Sequence, residues 1–222
     1  MNKKFALSFS GGKDSVMSLY IMMKKGYIPE VLLITVKEDN KSSWTHSINE
    51  ELLEEYRKKL GIDIECIYCG ISDYEFKFEE KLKELKNRGI EICVFGDIDI
   101  EEHLKWNNDR CENAGVKAVM PLKYCKREKA VKSFIEAGFK AVIKKVNLKY
   151  LDESFLGREL NYDTLEKMKL KNIDLCGENG EYHTIVTDGP IFKESIKFNL
   201  NDINKNIVHE FGCAILNVDS EF

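Results

Sequence analysis

Residues 5–15 read Phe-Ala-Leu-Ser-Phe-Ser-Gly-Gly-Lys-Asp-Ser. Phe5–Phe9 is an apolar run of strand length, and from about Asp14 to Lys25 the apolar residues recur with the helical period. The loop from Ser10 to Ser15 therefore joins a buried strand to a helix. Its adjacent glycines, Gly11 and Gly12, permit positive φ and let a ligand reach the backbone with no Cβ in the way. Free N–H groups at a helix start, with the dipole behind them, favour an anion. Ser10 and Ser15 add hydroxyl donors and Lys13 a positive charge. Asp14 has the wrong sign for a simple phosphate cradle; it suits a helix N-cap or a Mg²⁺ ion accompanying the phosphate. The glycine spacing is not that of a Walker A loop. A plain polar turn would need neither paired glycines nor flanking hydroxyls.

Outward from this loop the same rhythm repeats. Val31–Val36, Asp63–Tyr68, Ile92–Phe95 and Lys117–Met120 read as further buried strands. Between them lie amphipathic segments: one opened by the capping-box spacing Ser47-Ile-Asn-Glu50 and closed by Gly61, one from Ser72 or Asp73 to Gly89, and one opened by Asp99-Ile-Glu-Glu102 and ended by Gly115. Five strand–helix repeats predict an α/β fold, a doubly wound five-stranded parallel sheet. The rhythm changes after Pro121. A helix over Lys126–Ala137, a strand at Ala141–Val146, a short helix near Thr164–Lys169 and strand-like runs at Tyr182–Val186, Ile191–Phe198 and Ile207–Leu216 predict a smaller mixed α+β domain. The expected division is 1–122 and 123–222.

The composition fits one large or two small globular domains and excludes disorder, collagen and a disulfide-stapled miniprotein: of 222 residues, 43% are hydrophobic and 32% charged. With 34 Lys+Arg against 38 Asp+Glu the formal charge is −4, so no global basic field marks a nucleic-acid partner. Residues 117–149 nevertheless hold ten Lys/Arg against Glu128 and Glu136, a band suited to an acidic partner or to a solvated face. The seven cysteines include one close pair, Cys66-Ile-Tyr-Cys69, without the second pair of a structural zinc site. Neither a signal peptide nor a membrane span is expected, so a cytoplasmic chain with reduced thiols is the economical reading.

A second cluster, Gly177-Glu-Asn-Gly-Glu-Tyr-His-Thr184, gathers two carboxylates, an amide and an imidazole on a glycine-containing loop. Strand alternation would place Glu181 and His183 on one face and Tyr182 and Thr184 on the other. A plain polar hairpin is the alternative.

The loop Ser10–Ser15 after a first hydrophobic strand resembles the PP-loop of the ATP pyrophosphatase superfamily, whose sheet is of the adenine nucleotide alpha-hydrolase, Rossmann-like type. His46-Ser-Ile-Asn-Glu-Glu-Leu-Leu, Phe95-Gly-Asp-Ile98, Leu151-Asp-Glu-Ser-Phe-Leu-Gly-Arg158, Cys176-Gly-Glu-Asn-Gly-Glu-Tyr-His-Thr184 and Asp188-Gly-Pro-Ile-Phe192 resemble, in order, the diphthine–ammonia ligase family. Asn179, where diphthine-linked members more often have the first of two glycines, and the ending Glu-Tyr-His-Thr resemble a bacterial branch, in which diphthamide is not made.

The resemblance implies ATP with Mg²⁺, and ammonia as co-substrate. A carboxylate attacks the α-phosphorus of ATP, pyrophosphate leaves, and ammonia displaces AMP to give an amide. The acceptor would be the diphthine of elongation factor 2 or a small carboxylate. Ser10, Gly11, Gly12, Lys13, Asp14 and Ser15 would hold phosphate, with Asp14 as metal ligand and Lys13 and Asp14 in the chemistry. Thr35 and Val36 would read adenine through their backbone or simply end a strand. Gly96 would admit the ligand, and Asp97 would bind ribose or metal or serve as a helix-start acid. His46 would face the nucleotide or solvent. Glu178, Glu181 and His183 would move protons or hold the acceptor. Asn179 and Arg158 would bind substrate, with pairing of Arg158 to Asp152 or Glu153, tying the domains, as the alternative. Arg110 is a weak solvent-facing candidate, and Arg57, Arg88 and Arg127 are read as ordinary. Two other readings stand beside this one: a tRNA-modifying sulfur-transfer enzyme using Cys66 and Cys69, and a nucleotide sensor without turnover. The oligomeric state is not legible.

Overall fold

The computed structural model describes residues 3–39, 42–44, 46, 48–208 and 211–218, with side chains as far as Phe198. By internal contact, residues of 1–10 and 14–125 form one compact unit, and residues 11–13 with those of 126–222 form another.

The first unit holds five parallel strands: β1 (Lys4–Ser8), β2 (Ile28–Lys37), β3 (Ile64–Cys69), β4 (Ile92–Val94) and β5 (Lys117–Val119). They lie in the order β3-β2-β1-β4-β5. Connections run through α1 (Lys13–Lys24), α2 (Glu50–Leu60), α3 (Tyr74–Asn87) and α4 (Glu101–Ala114). The chain winds outward from β1 to β3, then returns to β4 on the other side of β1. Right-handed crossovers in opposite directions place helices on both faces. Period-two alternation divides the core accordingly. Ala6, Val31, Leu33 and Cys93 pack with Phe78, Leu82 and Leu85 of α3 and Cys111 and Ala114 of α4. On the opposite face Phe9 meets Tyr56 of α2 edge-on, with centroids 5.0 Å apart. The doubly wound parallel sheet expected from the strand–helix rhythm is present.

Several boundaries differ from the sequence reading. The α2 cap is Asn49, whose side chain accepts from the Leu52 N–H at 3.1 Å, and Ser47 lies outside the described residues. The α4 cap position falls on Ile100, which has no acceptor, instead of Asp99. Because α1 begins at Lys13, Asp14 is a first-turn residue and not the N-cap.

The second unit is an antiparallel four-stranded sheet in the order β7-β6-β9-β8, with α5 (Arg127–Glu136) and α6 (Tyr162–Lys169). Its strands are β6 (Lys140–Asn147), β7 (Tyr182–Asp188), β8 (Phe198–Val208) and β9 (Phe211–Val218). The register slips between Ile143↔Thr184 and Lys145↔His183, so Lys144 is the extra residue of a bulge. The run 191–198, expected as a strand, is strand only at Phe198, where β8 begins; after Gly189-Pro190 the chain turns, with the Phe192 N–H donating to the Gly189 carbonyl at 2.9 Å. The run 207–216, expected as one strand, belongs to two, because β8 and β9 pair antiparallel up to Val208↔Phe211; residues 209 and 210 of that run lie outside the described residues.

Candidate functional site

In the first unit, β1 is central, with β2 on one side and β4 on the other. The strand order reverses at its C-terminal end, where an open α/β sheet offers a crevice for ligands. Ser10, Asp14 and Ser15 lie there. The Ser15 Oγ accepts from the Ser10 N–H at 3.3 Å and lies 3.1 Å from the Ser10 Oγ, so the two hydroxyls brace the loop across its ends. Gly96 follows β4, and a Cβ at that position would stand 2.8 Å from the Ser15 nitrogen and 2.9 Å from the Asp14 carbonyl carbon. The absent side chain at 96 therefore makes room for the loop backbone itself.

Asp97 turns to α4. Its Oδ2 accepts from the Asn107 amide at 2.7 Å, and its Oδ1 lies 3.4 Å from His103 Nδ1. Thr35 and Val36 end β2 with part of their backbone committed: the Thr35 carbonyl accepts from the Trp44 N–H at 3.3 Å, and Val36 bridges to Ser43. The Thr35 hydroxyl lies 3.3 Å from the Tyr74 hydroxyl. The rings of Trp44 and Trp106 flank Tyr74 at centroid distances of 6.0 and 5.8 Å. Both tryptophans of the chain thus stand beside the end of β2, a signal that the scarcity of that residue type carried. His46 is half-buried in the segment after β2, between residues outside the described set.

Arg110 does not face solvent. It pairs with Glu75 and, at 3.0 Å, with Glu79, clamping α4 to α3. Cys66 and Cys69 are three apart on β3, so alternation directs them to opposite faces. Burial pushes both thiols up from their ordinary pKa, which opposes metal and redox chemistry at the pair.

In the second unit the loop tip meets β7. Gly11, at φ +70°, turns its carbonyl to accept from the Val186 N–H at 2.9 Å. The Lys13 N–H donates to the Thr184 hydroxyl at 3.1 Å. Lys13 Nζ lies 5.6 Å from the Tyr182 ring centroid and 3.9 Å from Glu178 Oε1. The ammonium is nearly inaccessible, with 7% of its side chain exposed, and the Glu178 pair is longer than a hydrogen bond. The β7 side chains that meet the loop tip therefore include Tyr182 and Thr184, on the face opposite to the one expected.

His183 is opposite Lys145 in the ladder, beside the Lys144 bulge. Burial first, then the Lys145 and Lys13 charges, hold its pKa down to about 4. Its imidazole is therefore neutral at pH 7. Lys144 is itself buried.

Glu181 is turned into its own loop. Its Oε1 accepts from the Asp174 N–H at 3.3 Å and the Asn179 amide at 3.1 Å, and its Oε2 from the Asn179 N–H at 3.0 Å. The other end of the Asn179 side chain, Oδ1, accepts from Arg127 at 3.0 Å. Both residues, expected to act on substrate, are committed to loop structure. Arg127, read as ordinary, joins them because α5 delivers it from 52 positions away. Arg158 donates to the Ser154 carbonyl at 2.6 Å and stacks on Phe155, while Asp152 pairs with Lys171 at 3.1 Å. Among the described contacts Arg158 does not pair with Asp152, one of the two acids offered for the alternative; its Nε is the atom committed to the Ser154 carbonyl.

The carboxylates of Asp14 and Glu178 are hard oxygen donors of the kind Mg²⁺ takes, and the loop N–H groups with Lys13 suit phosphate.

Residues 3–118 match the model of the diphthamide synthase N-terminal domain, and residues 126–220 that of its C-terminal domain. The chain is 26% identical over 212 residues to the diphthine–ammonia ligase of Schizosaccharomyces pombe, covering 84% of this chain and 34% of that one. It is 24% identical over 236 residues to the enzyme of the same name from Saccharomyces cerevisiae, covering 86% and 33%. Against the tRNA-specific 2-thiouridylase MnmA of Buchnera aphidicola the identity is 30% over 178 residues, covering 75% and 44%. The chain thus spans about a third of the length of the two ligases it matches. A solved structure of a predicted tRNA methyltransferase subunit from Methanocaldococcus jannaschii aligns with 17% identity and a TM-score of 0.45, covering 87% of this chain and all of that one.

Proposed function

The chain belongs to the diphthamide synthase family, and from that premise we propose that it is an ATP-dependent amide ligase that adenylates a carboxylate and passes the acyl group to ammonia. The observation that carries the reading is the buried Lys13 at the tip of a glycine loop that starts from the switch point of the sheet.

In this reading the loop N–H groups and Lys13 hold the phosphates of ATP. A carboxylate oxygen of the acceptor attacks the α-phosphorus, the bond to the β-phosphate breaks, and pyrophosphate leaves. The nitrogen of ammonia then attacks the acyl carbon and AMP departs with the former carboxylate oxygen. Asp14 is a carboxylate that would hold Mg²⁺, and the ion when bound would supply neutralisation of phosphate charge. The chain's own work is alignment and charge stabilisation, because substrate supplies every bond that changes. One proton must leave the attacking nitrogen. His183, neutral at pH 7, and Glu178 are the bases the second unit offers.

The alternative acceptor class, an RNA base adenylated for sulfur transfer, draws support from the thiouridylase match. Cys66 and Cys69 on opposite faces of β3 weigh against their joint use in handling sulfur.

The test is a product assay by phosphorus NMR with ATP, Mg²⁺, ammonium and a panel of carboxylates that includes diphthine-bearing elongation factor 2. AMP and pyrophosphate in equal amounts, dependent on both ammonium and a carboxylate, support the proposal. ADP with inorganic phosphate, or turnover indifferent to ammonium, overturns it.

A further inference from the structure

We propose that Arg127 is a positioning residue that sets where the Glu178 carboxylate stands relative to Lys13, acting through Asp174 and Asn179. The inference rests on the amide-ligase reading for its catalytic consequence.

Arg127 is the first residue of α5, where a cation meets the positive end of the helix dipole. That placement is unfavourable unless a nearby anion offsets it. The offset is Asp174, whose Oδ2 lies 2.7 Å from Arg127 Nη1. The same Oδ2 accepts from the Glu178 N–H at 3.2 Å, while Oδ1 accepts from the Cys176 N–H at 2.9 Å. Arg127 therefore holds the carboxylate that holds the backbone of Glu178.

Its second contact closes the loop from the other side. Arg127 Nη1 also donates to Asn179 Oδ1 at 3.0 Å, and the Asn179 amide passes the link to buried Glu181 at 3.1 Å. Both ends of the segment 176–179 are thus tied, and the Glu178 side chain is left beside Lys13 at 3.9 Å. Without the guanidinium, the Asp174 carboxylate would lose an ion-pair partner and the Asn179 Oδ1 a donor. A glycine at 179 would have no amide with which to make the relay. Asp174 and Arg127 expose only 12% and 27% of their side chains, so water screens the pair less than a surface one.

The experiment compares the unmodified chain with Arg127→Ala and Arg127→Lys by two readouts. Amide hydrogen exchange at Cys176 and Glu178 reports the loop in the absence of any substrate. The steady-state rate of pyrophosphate release, separated into kcat and KM for ATP, reports the reaction. For Arg127→Ala we expect exchange at those two amides to rise and kcat to fall by about 10²-fold, the order expected for a group displaced by an ångström. KM for ATP stays within about twofold, because Arg127 touches no substrate. Arg127→Lys, which keeps the charge, recovers most of both losses. Unchanged exchange overturns the inference, as does a loosened loop with unchanged kcat, or a raised KM at constant kcat, which would make Arg127 a ligand contact. If Arg127→Ala does not fold, Asn179→Gly removes the relay alone and is judged by the same criteria. If the unmodified chain releases no pyrophosphate, the amide-ligase reading fails by itself, and exchange alone decides whether Arg127 orders the loop.

Discussion

A Cβ at Gly96 would lie 2.8 Å from the backbone nitrogen of Ser15, closer than any real Cβ contact allows. The end of β4 and the first turn of α1 are therefore fitted to one another with no space for a methyl group. Gly96→Ala should move the loop, cost about 1–3 kcal/mol as overpacking does, and remove most ATP turnover. Gly70→Ala is the matched control, since its new Cβ would meet the Asp73 carboxylate at an ordinary 3.5 Å. Urea unfolding with ATP turnover on both variants checks this, and equal behaviour of the two would refute it.

Buried Lys13 pairs with half-buried Glu178, and its ammonium also faces Tyr182. Lys13→Met should lower pyrophosphate release by about 10²–10³-fold, the range for removing one donor aimed at developing charge. Circular dichroism separates that loss from unfolding. A Lys13→Met variant with normal turnover would exclude the lysine from the chemistry.

Asp14 and Ser15 make a prediction at the other side of the loop. Ser15→Ala removes the acceptor of the Ser10 N–H, and Asp14→Asn removes a carboxylate suited to Mg²⁺. Both should lower AMP release by about 10²-fold or more while leaving a measurable residual rate. For Asp14→Asn the Mg²⁺ concentration giving half-maximal rate should rise as well, read from a metal titration of residual activity.

His183 gives a pH dependence of stability. Its folded pKa, about 4, lies below the ordinary 6.5, so between those values the unfolded chain binds more protons. Stability from this group is full above about pH 6.5 and is lost as pH falls towards 4, by at most ~3.5 kcal/mol at 1.36 kcal/mol per unit. Urea unfolding at pH 7 and pH 5 should show the loss in the unmodified chain and a smaller one in His183→Asn. Equal losses would contradict the assignment.

Cys66 and Cys69 point to opposite faces of β3, and both thiols are shifted up. Cys66→Ser should leave ATP turnover unchanged, and both thiols should alkylate slowly at neutral pH. Fast, paired alkylation followed by loss of turnover would revive a sulfur-handling role.

The parallel sheet was readable because each buried strand is a short apolar run bounded by polar turns, and α2 and α4 stop at Gly61 and Gly115. Signals of one or two residues misled. Ser47 and Asp99 have capping-box spacing, yet the cap positions fall on Asn49 and Ile100. The run after Pro190 is apolar enough for a strand but is held in a turn. In the site, residues 10–15 announced themselves through local chemistry. Arg127 did not, because its partners Asp174 and Asn179 are 47 and 52 positions away. Glu181 was assigned a face by strand alternation, but β7 begins only at Tyr182, so the alternation does not extend to it.

The most direct test of the central claim follows oxygen. A carboxylate acceptor that supports turnover, labelled with ¹⁸O in both oxygens, is incubated with ATP, Mg²⁺ and ammonium, and the nucleotide product is analysed by mass spectrometry. Adenylation predicts AMP carrying one ¹⁸O atom for each amide formed. Unlabelled AMP, or label in inorganic phosphate alongside ADP, would contradict it.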